Sequence, residues 1–152
     1  MTIDPNNLAA TAKLTFADEF DTFKRYDATT KTGWNTTYTG TGLYAYTGGA
    51  NQQLYTDIDF KGSGSKPLGL NPFSVDNGVL TITAERVDDA VSQYMWGYDI
   101  SSGVITTKSS FAQQYGYFEI RADMPDGKGM FPAFWLLPKS GGWPPEIDIV
   151  ES

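Results

Sequence analysis

The run Glu146-Ile147-Asp148-Ile149-Val150-Glu151 holds three acids within six residues. The chain has no His and no Cys, which removes every Ser/His, Cys/His, thiolate and His-metal site. Acid–base and nucleophilic work must therefore fall on carboxylates, Lys or Tyr. Carboxylates crowded on one strand face repel each other, and a strand selected for stability alone avoids this. The repulsion also keeps one carboxyl protonated beside an ionised neighbour. That pairing sets a nucleophile next to a general acid. The competing readings of such a cluster are a solvated strand face and a calcium site.

The pairing works only if the strand presents the acids together. Side chains two apart on a strand point the same way, so Glu146 and Asp148 share a face. Glu151 lies five positions from Glu146, and a regular strand sends it to the opposite face. One β-bulge near Ile149-Val150 brings it back. Ile147 and one of Ile149 or Val150 then point into the core. Two carboxyl groups on one face, ~5–5.5 Å apart, suit glycosidic-bond cleavage with retention. Just before the acids, Gly141-Gly142-Trp143-Pro144-Pro145 sets an aromatic plate beside them, and Trp135 lies in the preceding apolar run.

The rest of the chain reads as strands and turns. Leu14-Thr15-Phe16 alternates as a first strand, and Leu54 to Phe60 is a second. Gly62 to Pro67 is a surface loop. Asn77-Gly78 is a hairpin turn, followed by the half-buried alternation of Leu80, Ile82 and Ala84. Gly103 to Lys108 is a further strand. The clearest alternation puts Phe118, Ile120, Ala122 and Met124 on one face and Tyr117, Glu119, Arg121 and Asp123 on the other. Phe131 to Leu137 is continuously apolar, as in a strand buried on both faces. Many short strands and no amphipathic helix give an all-β sandwich or jelly roll.

Composition agrees. Aromatic residues make up 14% of the 152-residue chain, and Gly is abundant. The net charge of −7 makes nucleic acid and anionic membrane surfaces poor partners. No apolar run approaches the roughly 18 residues of a membrane span. The first residues carry no basic segment followed by an apolar one, so no classical signal peptide is present. Trp34, Trp96 and the tyrosines at 38, 44, 46 and 55 are candidate sugar platforms, with core packing the commoner role of such rings. Asp126-Gly127-Lys128-Gly129 lacks the strand-to-helix setting of a phosphate loop.

Gly-Tyr-Phe-Glu-Ile-Arg-Ala at 116–122, Phe-Pro-Ala-Phe-Trp-Leu-Leu-Pro at 131–138 and Trp-Pro-Pro-Glu-Ile-Asp-Ile-Val-Glu at 143–151 resemble glycoside hydrolase family 16. The shorter Leu-Thr-Phe-Ala-Asp-Glu-Phe at 14–20 is also similar. The resemblance implies a β-jelly-roll sandwich, concanavalin A-like, that cleaves β-1,3- or β-1,4-linked glycans endo-wise with retention. On the matching positions it implies Glu146 as nucleophile, Glu151 as general acid/base and Asp148 as assisting carboxylate. Trp143 resembles the family's substrate-stacking Trp, Trp135 lines the same cleft, and Asn51 falls at a loosely matching substrate contact. No cofactor is needed for catalysis. One structural calcium is implied as an option, with Glu19 as a contributor.

The short Trp-Pro-Pro loop before Glu146 resembles relatives that act on bacterial exopolysaccharides. Related domains carry several strands after the catalytic one. Residues 14–152 are therefore expected to be the N-terminal part of a jelly roll, incomplete at its C-terminus, after a flexible segment 1–13. A C-terminal half or partner chain would complete the sheet. The expected partner is a polysaccharide and the expected location extracellular. Two alternatives stand beside this reading: a non-catalytic carbohydrate-binding jelly roll, and the inactive half of a split hydrolase.

Overall fold

A computed structural model of the chain describes residues 2–38 and 52–151. It is β-rich. Seven short strands, β1 (Gln53–Tyr55), β2 (Phe73–Asp76), β3 (Val79–Ile82), β4 (Glu85–Arg86), β5 (Ile100–Ser102), β6 (Ala133–Leu136) and β7 (Ile147–Glu151), are accompanied by two helical turns, α1 (Leu8–Thr11) and α2 (Asp89–Ser92). The chain divides into two compact units, Thr15–Phe111 and Met1–Leu14 with Ala112–Ser152.

In the Thr15–Phe111 unit, β5 is the middle strand of a three-stranded sheet ordered β1-β5-β4. β1 runs parallel to β5, with Leu54 opposite Ser101, and β4 runs antiparallel to it. Leu54, Phe60 and Met95 are buried, with Leu68, Val87, Val91 and Tyr98 against them. Burial of side chains this size contributes about 1.5–3 kcal/mol each. The Thr56 and Ser101 hydroxyls pair at 2.7 Å within this buried zone, so neither polar group is left unsatisfied.

The Asn77-Gly78 turn forms where the sequence predicts it. Both residues have positive φ, 48° and 75°, as a type I′ turn requires. It joins β2 to β3 with Asp76 opposite Val79 and Phe73 opposite Ile82. Gly103 follows β5, and an added Cβ there would lie 2.7 Å from both Ile82 and Phe73. Only Gly permits this approach between chain and hairpin.

Several expected strands are not strands. Leu14-Thr15-Phe16 joins no ladder among the described residues. Phe16 instead stacks on Phe111 at 4.9 Å and meets Trp34 edge-on. Of Leu54 to Phe60 only the first residues pair, because the Asp57 side chain and carbonyl accept the N–H groups of Asp59 and Phe60 and turn the chain. Gly103 to Lys108 lies beyond the end of β5, and only Thr106 pairs, with Asn35. The alternation at 118–124 has no ladder neighbour among the described residues. Period-2 patterning fixes which side chains share a face, and a strand still requires a second chain segment to bond to. Phe131 to Leu137 is not buried on both faces: β6 is exposed at Ala133 and half-buried at Phe134, Trp135 and Leu136.

The segment 1–13 carries α1, tied by the Thr11 hydroxyl accepting the Asp4 N–H at 2.9 Å and donating to Asn7 O at 2.8 Å. It belongs to the same compact unit as Ala112–Ser152. No helix among the described residues is long and apolar enough to cross a membrane.

Candidate active site

β6 and β7 form an antiparallel two-stranded ribbon. The apolar, β-branched composition of Ile147-Asp148-Ile149-Val150 suits a strand. Leu136 is opposite Ile147, Trp135 opposite Asp148, Phe134 opposite Val150 and Ala133 opposite Glu151, with a register shift between Phe134 and Trp135. Ile149 is the residue without an opposite number. The irregularity falls where the spacing of the acids demands it.

Residues directly opposite in an antiparallel pair present side chains to the same face. Asp148 and Glu151 therefore share a face with Trp135 and Ala133. Ile147 and Val150 share the other with Leu136 and Phe134. Val150 is half-buried there, whereas Ile147, expected to point into the core, is exposed. Without the shift, Asp148 and Glu151, three apart, would face opposite ways. The shift thus sorts the ribbon into an acidic side and an apolar side.

Glu146 immediately precedes β7 and is two residues from Asp148, the spacing of a shared face. It has a specific partner: the Trp143 indole N–H donates to Glu146 Oε2 at 2.8 Å. Trp143 is 75% exposed, so its ring is open to a ligand while its nitrogen is committed to the acid. Glu146, Asp148 and Glu151 are all exposed. Elsewhere in this unit the Tyr117 hydroxyl donates to Glu119 at 2.9 Å. That bond, then the carboxylate's charge, hold the phenol above its ordinary pKa.

Of the other site candidates, Asn51, Tyr44 and Tyr46 lie outside the described residues. Trp34 is half-buried, its N–H given to Asp18 at 2.7 Å and its ring in contact with Phe16 and Phe20, which is a packing role. Trp96 is 55% exposed and meets buried Phe60 edge-on. Among the described residues no group of three or more His, Cys, Asp or Glu side chains is placed to hold a metal ion, and Glu19 is exposed.

The sequence reading did not anticipate a polar groove of about 170 Å³ in the Thr15–Phe111 unit, lined by Arg25, Tyr26, Asn35, Asp57 and Asp59 among others. Arg25 forms an ion pair with Asp59 and reaches Asp57 at 3.9 Å. The signal was the acid pair at 57 and 59. The cation opposite it, 32 residues upstream of Asp57, carried none.

The β-rich chain thus carries a bulged acidic strand beside a tryptophan, with its carboxylates open to solvent. The family profile of glycosyl hydrolases family 16 matches residues 69–152, and the chain belongs to that family. It is 48% identical over 139 residues to the endo-1,3-1,4-beta-glycanase ExsH of Rhizobium meliloti (strain 1021), covering 90% of this chain and 29% of the relative. It is 48% identical over 142 residues to the endo-1,3-1,4-beta-glycanase EglC of the same organism, with the same coverage. A glucan endo-1,3-beta-glucosidase of Cryptopygus antarcticus is 33% identical over 115 residues, covering 68% of this chain and 36% of the relative. The chain thus spans about 29% of the length of the two glycanases. No solved structure matches it.

Proposed function

We propose that the protein is an endo-acting, retaining hydrolase of β-1,3/β-1,4-linked glycans, either β-glucan or a bacterial exopolysaccharide. The observation that carries this reading is the register shift at Ile149, through which Asp148 and Glu151 share one face with Trp135. The family and the two endo-glycanase relatives support it. The fold is a jelly-roll sandwich, which the family and the short paired strands support.

Glu146 attacks the anomeric carbon, and the bond to the leaving glycosidic oxygen breaks as Glu151 gives that oxygen its proton. Glu151 then takes a proton from water, whose oxygen displaces Glu146 from the same carbon. Two inversions give net retention. Asp148, between them on the same strand, assists Glu146. Trp143 offers its exposed ring to the apolar face of a pyranose, and Trp135 lines the same face. The partner is the polysaccharide. A polymer of this kind is met outside the cell, which supports an extracellular location.

The deciding experiment is reducing-end release from β-1,3-glucan, mixed-linkage glucan, agarose and bacterial exopolysaccharides, comparing the protein with Glu146→Gln. Release by the parent alone establishes the hydrolase and names its glycan. Equal release by both would refute the assignment of Glu146.

A further inference from the structure

The Trp143 ring serves as a stacking surface, and its nitrogen supports a second role. We propose that the Trp143 N–H is a positioning group for the nucleophile. It fixes Glu146 Oε2 and leaves Oε1 free to meet the anomeric carbon. This rests on the hydrolase reading and adds a residue role to it.

Exposure is what makes the bond matter. Glu146 lies on an exposed loop end just before β7 and is itself exposed. A Glu side chain there has three rotatable bonds and a terminal torsion that is broad and two-fold. Left alone, its carboxylate samples many orientations, and reaction requires one. An N–H···O bond of 2.8 Å has the length of a charge-assisted bond. It ties one oxygen and sets the carboxylate plane relative to the indole.

Local sequence delivers the donor. Trp143 is three residues before Glu146, separated by Pro144 and Pro145, whose rings hold φ near −65° and supply no competing backbone N–H. The indole nitrogen has only donor capacity, so it cannot take a proton from the acid or act as a base. A stacking surface alone needs no N–H aimed at a carboxylate; Phe or Tyr would serve. The bond stabilises carboxylate charge on Oε2 before attack and again as the carboxylate departs in the second displacement. The C–O bond to carbon forms and breaks at Oε1.

The test compares the parent with Trp143→Phe and Trp143→Ala in the protein at its natural length. Phe keeps a flat ring and loses the donor; Ala loses both. Two readouts are taken: kcat and KM on mixed-linkage β-glucan, and the rate at which an epoxyalkyl β-glycoside esterifies Glu146, followed by peptide mass. We expect Trp143→Phe to lower kcat and the labelling rate about tenfold or more, as for loss of a hydrogen bond to a charged group, with KM within about twofold. Trp143→Ala should raise KM as well. If Trp143→Phe turns over and labels at the parent rate, or alters KM alone, the positioning role is overturned and stacking is the whole of it. If the parent itself is not labelled at Glu146, the nucleophile assignment fails, and this inference fails with it.

Discussion

Asp148 stands opposite Trp135 across the β6–β7 ladder, and the next pair along joins Val150, not Ile149, to Phe134. This one-residue displacement makes a five-residue spacing compatible with a shared face. It gives a prediction in two directions. Deleting Ile149 leaves every ladder partner in place, so the acids stay on one face and turnover should survive within about tenfold. Deleting Ile149 and Val150 together makes Glu151 the direct neighbour of Asp148, which on a strand turns it to the apolar face, and turnover should fall by ~10²-fold or more, the usual worth of a placed general acid. Reducing-sugar assays on the two variants check this. An active double-deletion variant would mean that strand register does not place the acid.

The two outer acids should separate kinetically. Glu146→Gln cannot attack carbon, so turnover should be abolished while glycan binding, followed by affinity electrophoresis, persists. Glu151→Gln keeps the nucleophile but lacks the acid. It should lose most activity on polymer and retain far more on an activated aryl glycoside, whose leaving group needs no proton. Equal losses on both substrates would argue against the assigned acid.

In the β2–β3 turn, Gly78 has φ of 75°. Gly78→Ala places a Cβ in the left-handed region and should cost about 1–2 kcal/mol, seen as a lower unfolding midpoint. Asn77→Gly, also at positive φ, should cost little. A neutral Gly78→Ala would mean the turn relaxes to another type.

The buried Thr56–Ser101 hydroxyl pair predicts coupling. Ser101→Ala strands the Thr56 hydroxyl and should cost about 1–3 kcal/mol. Adding Thr56→Val should recover much of that. Denaturant midpoints of the two single variants and the double variant measure it, and simple additivity would deny the coupling.

Asp27 accepts backbone N–H bonds from Thr29 at 2.6 Å and Thr30 at 3.1 Å. These bonds, the Thr30 one foremost, favour the ionised form and hold its carboxyl below the ordinary 3.8. A carboxylate with a lowered folded value contributes stability in full above its unfolded value, and loses it as pH falls through the folded one. Stability should therefore drop on acidification below about pH 4, and Asp27→Asn should flatten that limb. A two-dimensional titration of the Asp27 carboxyl carbon gives the value directly, and a midpoint at or above 3.8 would contradict it.

The sequence by itself determined the chemistry available and the demand on geometry. Without His or Cys, carboxylates, Lys and Tyr remained for the reaction, and the three acids at 146, 148 and 151 stand closest together. The spacing of Glu146, Asp148 and Glu151 required one extra residue in the strand, because side-chain parity on a strand is a covalent fact. Asn77-Gly78 fixed a hairpin for the same local reason: both residues accept positive φ. The tertiary structure alone decided which alternating runs find a neighbour. Residues 118–124 alternate more cleanly than β7 yet join no ladder among the described residues, whereas Gln53–Tyr55 pairs with residues 47 positions away. Pairing is a relation between two segments, and one segment's pattern carries no record of its partner. The same holds at short range for Trp143. Its proximity to Glu146 was legible in the chain, but the aim of its N–H at Oε2 depended on how the loop folds.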